Sequence, residues 1–187
     1  MVYVSPKVNI VDDFLSPEDH KTIHDAMLDV QQHFPWYISG KNAVEEDKKE
    51  HILNYQFTHP FFILTSQHNC YHDKSEKFDL ILPILNKLNF IALHRVKANL
   101  EPIKPERYSS EFHYDYVGYD DKPCKKMTTA IYYVNDNDGY TEFSDGSIVE
   151  SKANRFVHFR SDRLHRGVSQ LDTRLRCVIN FNLLMGN

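Results

Sequence analysis

The sequence predicts an α+β chain that is mainly β, a sandwich or jelly roll with helices at its N-terminal end. Three observations predict it. Apolar residues recur at helical spacing only before residue 90, as Ile23, Ala26, Met27 and Val30 and again as Phe78, Ile81, Leu85 and Leu88. Beyond that point the pattern changes to period two, in short segments at 90–100, 111–117, 127–134, 141–143, 147–150, 155–159 and 174–184. Aromatic residues are plentiful (12 Phe, 11 Tyr) and glycine is scarce at 6, which suits a packed sheet core better than a linker-rich array.

Taken in order, residues 8–15 read as a short strand running into Ser16-Pro17-Glu18-Asp19. That is a helix start: serine can cap, proline fits the first turn, and acids suit the positive end of the helix dipole. Pro35-Trp36 is expected to end this helix, and 40–50 is a charged loop. Leu53 to Leu64 suggests one or two strands interrupted at His59-Pro60, because proline cannot donate to a sheet ladder. The second helical stripe contains Pro83, expected to mark a helix start or a kink. Each helix has one apolar face and needs a hydrophobic surface to cover.

With 187 residues the length suits one domain, and the chain can bury a substantial core. The net charge of -4 and the absence of a long basic run argue against a protein that grips phosphate backbones, so no nucleic-acid partner is expected. Three cysteines, Cys70, Cys124 and Cys177, are an odd number at spacings unlike a zinc finger, which predicts ordinary thiols in a reducing compartment. No apolar run resembles a signal peptide or a membrane span of roughly 18 residues, so the expectation is a cytoplasmic protein that is not in a membrane.

The last strand is more informative. One face carries Leu175, Cys177, Ile179, Phe181 and Leu183, and the other Arg174, Arg176, Val178, Asn180 and Asn182. The first face can pack on the helices. The second points either to solvent or into a wet cavity between sheets.

His113-Tyr114-Asp115 is the only His-any-Asp in the chain. On a strand the two side chains share a face and can reach one ion, although 11 histidines and 26 acidic residues make one such pair unremarkable by itself. A surface pair is the plain alternative. Beyond residue 100 the other histidines are His158, inside a strand, and His165, in a polar turn at a strand end where side chains converge. Two imidazoles and one carboxylate on one face of a metal leave positions open, which suits non-haem Fe(II). Zinc hydrolysis uses similar ligands, so the triad alone leaves the metal open. An arginine on the polar face of the last strand, Arg174 or Arg176, adds a group that matches a carboxylate bidentately. One of Tyr132 and Tyr133 must face the same way.

The order of these residues resembles the 2-oxoglutarate and Fe(II)-dependent oxygenases, in the prolyl 4-hydroxylase-like branch and its phage-encoded members. The stretches that carry the resemblance are Val11-Asp12-Asp13-Phe14-Leu15-Ser16, Thr129-Ala130-Ile131-Tyr132-Tyr133-Val134-Asn135, Gly139-Tyr140-Thr141-Glu142-Phe143, Phe159 to His165, and Arg176-Cys177-Val178-Ile179-Asn180-Phe181. It covers nearly the whole chain and is densest after residue 95. It implies a double-stranded β-helix (jelly-roll, cupin-like) core with the N-terminal helices packed on one sheet. Residues 1–187 would form one dioxygenase domain, with 1–90 as helical support with short strands and 91–187 as catalytic core. It implies that His113, Asp115 and His165 bind Fe(II), that Arg176 holds the distal carboxylate of 2-oxoglutarate with Tyr133 donating to it, and that Asn180 belongs to the same site. Arg176 is preferred to Arg174 because the family arginine lies four before the residue matched to Asn180. Tyr140 replaces the family's second glycine.

The implied activity is hydroxylation of a C–H bond, with molecular oxygen consumed and succinate and CO2 released, and with ascorbate as an accompanying factor. A peptidyl proline is that branch's usual target. A free amino acid or another small molecule, and a non-catalytic metal-binding jelly roll, stand as alternatives. The loop 118–126 follows the ligand pair and is placed either to close over substrate or to be ordinary charged surface.

Overall fold

The computed structural model describes residues 7–40, 55–65, 71–117 and 122–186. The readings made for Cys70, for most of the charged loop at 40–50 and for the first part of the loop at 118–126 lie outside these residues. In chain order the elements are β1 (Asn9–Val11), α1 (Pro17–Leu28), β2 (Tyr37–Gly40), β3 (Tyr55–Thr65), β4 (Tyr71–Lys74), α2 (Leu82–Leu85), β5 (Phe90–Pro102), β6 (Thr128–Tyr133), β7 (Tyr140–Phe143), β8 (Ile148–Glu150), β9 (Arg155–Arg160), β10 (His165–Val168) and β11 (Leu175–Met185). A large antiparallel sheet runs β1-β9-β6-β11-β5-β3-β2, with β4 beside β3, and a smaller one runs β10-β7-β8. The fold is mainly β, with a large sheet and a small one enclosing a jelly-roll core.

The alternation along β11 decides where each sheet face goes. Cys177, Ile179, Phe181 and Leu183 point to one side and join Val96, Ala98 and Leu100 of β5, Ala130 and Tyr132 of β6, and Ile23, Met27, Ile81 and Ile84 from the helical segments. Fully burying each of the larger side chains is worth about 1.5–3 kcal/mol. The helices therefore cover this face, as their stripes require. On the other side Val178, Ile131, Tyr133, Val157 and Phe159 meet Phe143 and Val149 of the small sheet. The two sheets are glued there, and beyond that glue the same face becomes polar.

The helix start at Ser16 forms as read: the Ser16 hydroxyl accepts from the Asp19 N–H at 3.1 Å. The helix ends at Leu28, before Pro35-Trp36, because Asp29 caps a 3-10 turn over Val30–Gln32. Val30 is thus exposed instead of completing the apolar stripe. Asn154 ties this segment to the sheet. Its side chain accepts from the Leu15 N–H at 2.9 Å, donates to the Leu15 carbonyl at 2.9 Å, and accepts from the Tyr132 hydroxyl at 3.0 Å.

Three further elements differ from the sequence reading. His59-Pro60 does not break β3, since a register shift between Pro60 and Phe62 absorbs the missing proline donor as a bulge. The second helix is a 3-10 turn over Phe78–Ile81 followed by the single turn α2, with Pro83 in its first turn. Residues 111–117 form no strand, being held by isolated bridges from His113 to His165 and Val117 to Pro123, with a third from Ser109 to Val168 just before them.

Candidate functional site

The bridge between His113 and His165 builds the first half of the site. Each residue's N–H donates to the other's carbonyl, at 3.0 and 3.2 Å. That main-chain pair sets the two imidazoles side by side, with ring centroids 4.9 Å apart. His165 opens β10 and does not lie in a turn, so the small sheet holds it rigidly.

Both rings are oriented by main-chain carbonyls. His113 Nδ1 lies 2.9 Å from the Glu111 carbonyl, and His165 Nδ1 lies 3.1 Å from the Arg163 carbonyl. A carbonyl can only accept, so Nδ1 carries the hydrogen in each ring and Nε2 carries the lone pair. The two Nε2 atoms face the Asp115 carboxylate at 3.7 and 3.6 Å. Arg95 on β5 approaches the oxygen that faces His113, Oδ1, at 3.6 Å.

Burial alone would raise the Asp115 pKa, but hydrogen bonds donated by the His113 and His165 rings when these carry a second proton, together with the Arg95 guanidinium, hold it well below the usual carboxylate range. One of its oxygens, Oδ2, is buried and has no hydrogen-bond partner among the described residues. An ionised carboxylate with an orphaned oxygen, facing two imidazole lone pairs, is costly unless a cation sits among them. The three residues offer ligand atoms within 4.8 Å of one another. The donor set therefore fits a divalent metal. The His113 side chain is 47% exposed while that of His165 is 4% exposed, so the site is closed behind and open at the front.

From this point a cavity of about 460 Å³ runs between the sheets. Its floor is the polar face of β5 and β11, whose register pairs Asn182 with Arg95, Asn180 with Lys97, Val178 with Asn99 and Arg176 with Glu101. Arg176 stands at the closed end, its Nε donating to the Ser151 hydroxyl at 3.1 Å. Arg174 lies just before β11, is exposed, and does not line the cavity. Asn180 lines the floor.

Tyr133 differs from the expectation. Its hydroxyl is 2.7 Å from the Thr141 hydroxyl, and Thr141, not Tyr133, forms the cavity wall there. The Tyr133 ring lies behind Arg176, 6.0 Å from the guanidinium carbon, and burial raises the pKa of its phenol. Tyr133 is thus placed to hold Thr141 and Arg176 rather than a ligand.

Sequence reasoning missed contributors on β5, at Thr141 and at Gly139. Arg95, Lys97, Asn99 and Glu101 alternate with Val96, Ala98 and Leu100, so their shared face was readable from the period-two pattern. Thr141 was visible only as a small β-branched residue after Gly139-Tyr140. Gly139 has a specific reason to be glycine: a Cβ there would meet Arg176 Cδ at 2.8 Å, Asn137 Oδ1 at 2.8 Å and the Val168 carbonyl at 2.9 Å.

No protein-family model matches the chain, and no curated protein matches it in sequence. Solved structures do match. A prolyl-4-hydroxylase from Pseudomonas putida is similar with a TM-score of 0.60 and 17% identity, over 97% of this chain and 94% of that one. A viral collagen prolyl hydroxylase from Paramecium bursaria Chlorella virus-1, solved with 2OG, is similar with a TM-score of 0.57 and 14% identity, over 96% of each chain. A Trichoplax adhaerens prolyl hydroxylase, solved with a peptide fragment of the hypoxia inducible factor oxygen degradation domain, is similar with a TM-score of 0.57 and 15% identity, over 95% of this chain and 83% of that one. This chain shares their fold. Sequence identity this low carries the architecture, and the chemistry must be argued from the residues.

Proposed function

We propose that the chain is an Fe(II)- and 2-oxoglutarate-dependent oxygenase, a single domain in which residues 91–187 carry the site and 1–90 support it. The observation that carries the reading is the pairing of two sites in one cavity. His113, Asp115 and His165 converge at its open end, and Arg176 stands at its closed end.

In this reading His113 and His165 hold the metal through Nε2, with Asp115 as the carboxylate ligand. Bound iron, with 2-oxoglutarate and molecular oxygen, supplies the oxidising power for hydroxylation of a C–H bond, releasing succinate and CO2. The chain's own residues supply position. The Glu111 and Arg163 carbonyls fix the ring tautomers, Arg95 fixes Asp115, and Arg176 with Thr141 and Asn180 receives the cosubstrate. Burial at the closed end strengthens the contact between Arg176 and a carboxylate.

The substrate is proposed to be a peptidyl proline. Support comes from the open front at His113, where Phe112 is 38% exposed, and from the fold shared with prolyl hydroxylases, one of them solved with a peptide. The test is turnover in air with Fe(II), 2-oxoglutarate, ascorbate and a proline-rich peptide library. The expected result is succinate release together with one oxygen atom gained by a peptide, both lost in His165→Ala. Succinate without peptide oxidation removes the peptide substrate and leaves a free amino acid or other small molecule. No succinate under any condition sinks the oxygenase reading in favour of a metal-binding jelly roll.

A further inference from the structure

We propose that Glu101 is an internal carboxylate that competes with the cosubstrate's distal carboxylate for Arg176, and so sets how tightly the dicarboxylate is held. This rests on the oxygenase reading above. Glu101 and Arg176 are direct register partners across β5 and β11, on the cavity face. Both line the cavity, and they are 4% and 5% exposed. Arg176 Nη1 lies 3.7 Å from Glu101 Oε2.

Arg176 cannot turn away from this neighbour. Its Nε is held by Ser151, and its stem lies against Gly139 so closely that a methyl group there would collide with it. Glu101 is held from its other side by Lys104, 4.0 Å away, whose ammonium also lies 4.2 Å from the centre of the Tyr108 ring. A ligand carboxylate that reaches Arg176 therefore arrives beside a carboxylate already facing the same guanidinium. Like charges a few ångströms apart in a buried site disfavour each other, and part of the guanidinium's fork is already directed at Glu101. At 3.7 Å the pair is too long for a hydrogen bond, so Glu101 weakens the ligand's hold and does not block it.

The experiment compares wild type with Glu101→Gln, both loaded with Mn(II) in place of iron, by calorimetric titration with 2-oxoglutarate. The expected result is about tenfold tighter binding in the variant, with Mn(II) affinity unchanged and the variant still folded. Equal or weaker binding in a folded variant would overturn the proposal. A second measurement needs no variant: the wild type should prefer 2-oxoglutarate over 2-oxopentanoate, whose tail is uncharged, by less than about tenfold, because Glu101 offsets the charge that Arg176 offers. A larger preference also overturns it. If Mn(II) binds but neither protein takes up 2-oxoglutarate, the oxygenase reading itself fails and the proposal falls with it. Uptake by the wild type with no gain in Glu101→Gln removes only the role given to Glu101.

Discussion

Replacing Gly139 by alanine probes the cavity's closed end without removing a charged group. The added methyl would stand 2.8 Å from Arg176 Cδ, 2.8 Å from Asn137 Oδ1 and 2.9 Å from the Val168 carbonyl. Carbon contacts relax at about 3.5–4.0 Å, so each neighbour must give by roughly 0.5–1 Å. The Arg176 and Asn137 side chains must give, since the Val168 carbonyl is main chain at the end of β10. Overpacking of this size costs about 1–3 kcal/mol, which for a chain of this length lowers the melting temperature by about 2–12 °C. The displaced arginine also loses its alignment with a carboxylate, a charge-assisted contact worth about 1.5–3 kcal/mol before the opposition of Glu101 is counted. The expected outcome is a fall of about three- to tenfold in 2-oxoglutarate affinity on Mn(II)-loaded protein, with Mn(II) affinity intact. Calorimetry measures both. Unchanged 2-oxoglutarate affinity, within about twofold, in a variant that melts like the wild type would refute the packing of Arg176 on Gly139.

Three other outcomes are expected. Arg176→Ala should weaken 2-oxoglutarate binding at least about tenfold in the same titration, whereas Arg174→Ala, an exposed residue, should change it by less than about twofold. Asn154→Ala should destabilise the fold by about 2–4 kcal/mol in urea unfolding, because it breaks the clasp on Leu15 and Tyr132 and leaves alanine at φ +60. Burial lowers the pKa of His59 from its ordinary value of 6.5, with its ring held between the Pro35 carbonyl and the Ser75 hydroxyl. A histidine kept neutral by folding contributes stability that is present above the unfolded value and lost as pH falls from there toward the folded value. Urea midpoints should therefore drop on acidification below pH 6.5, and His59→Gln should flatten that slope.

The large-scale plan was legible because two periodicities sit in separate parts of the chain. The face of β11 carrying Cys177, Ile179 and Phe181 could only be core, and it is. The same alternation exposed Arg176 and Asn180 as cavity residues and, applied to β5, would have added Lys97, Asn99 and Glu101. His113, Asp115 and His165 were found by spacing and order, and the structure brings all three together. The reason given for His113 and Asp115 was only half right. They were read as sharing a strand face, yet residues 111–117 are bridged and not a strand, and the main-chain pair with His165 does the positioning. Such a pair joins residues distant in sequence, which no local pattern records. Tyr133 faces inward as expected, but its hydroxyl is taken by Thr141, a choice made between β6 and β7. The helix end at Leu28 depended on a side-chain cap at Asp29 that competes with the apolar stripe reaching Val30.

In the proposed function His113, Asp115 and His165 hold iron beside a 2-oxoglutarate aligned by Arg176. Mixing the protein with Fe(II) and 2-oxoglutarate without oxygen tests it most directly, through the weak visible charge-transfer band of an iron-bound 2-oxo acid. The expected result is a band that saturates with one 2-oxoglutarate per chain, is absent in His165→Ala, and needs more 2-oxoglutarate in Arg176→Ala. A folded wild-type protein that shows no band at saturating Fe(II) and 2-oxoglutarate would contradict the account.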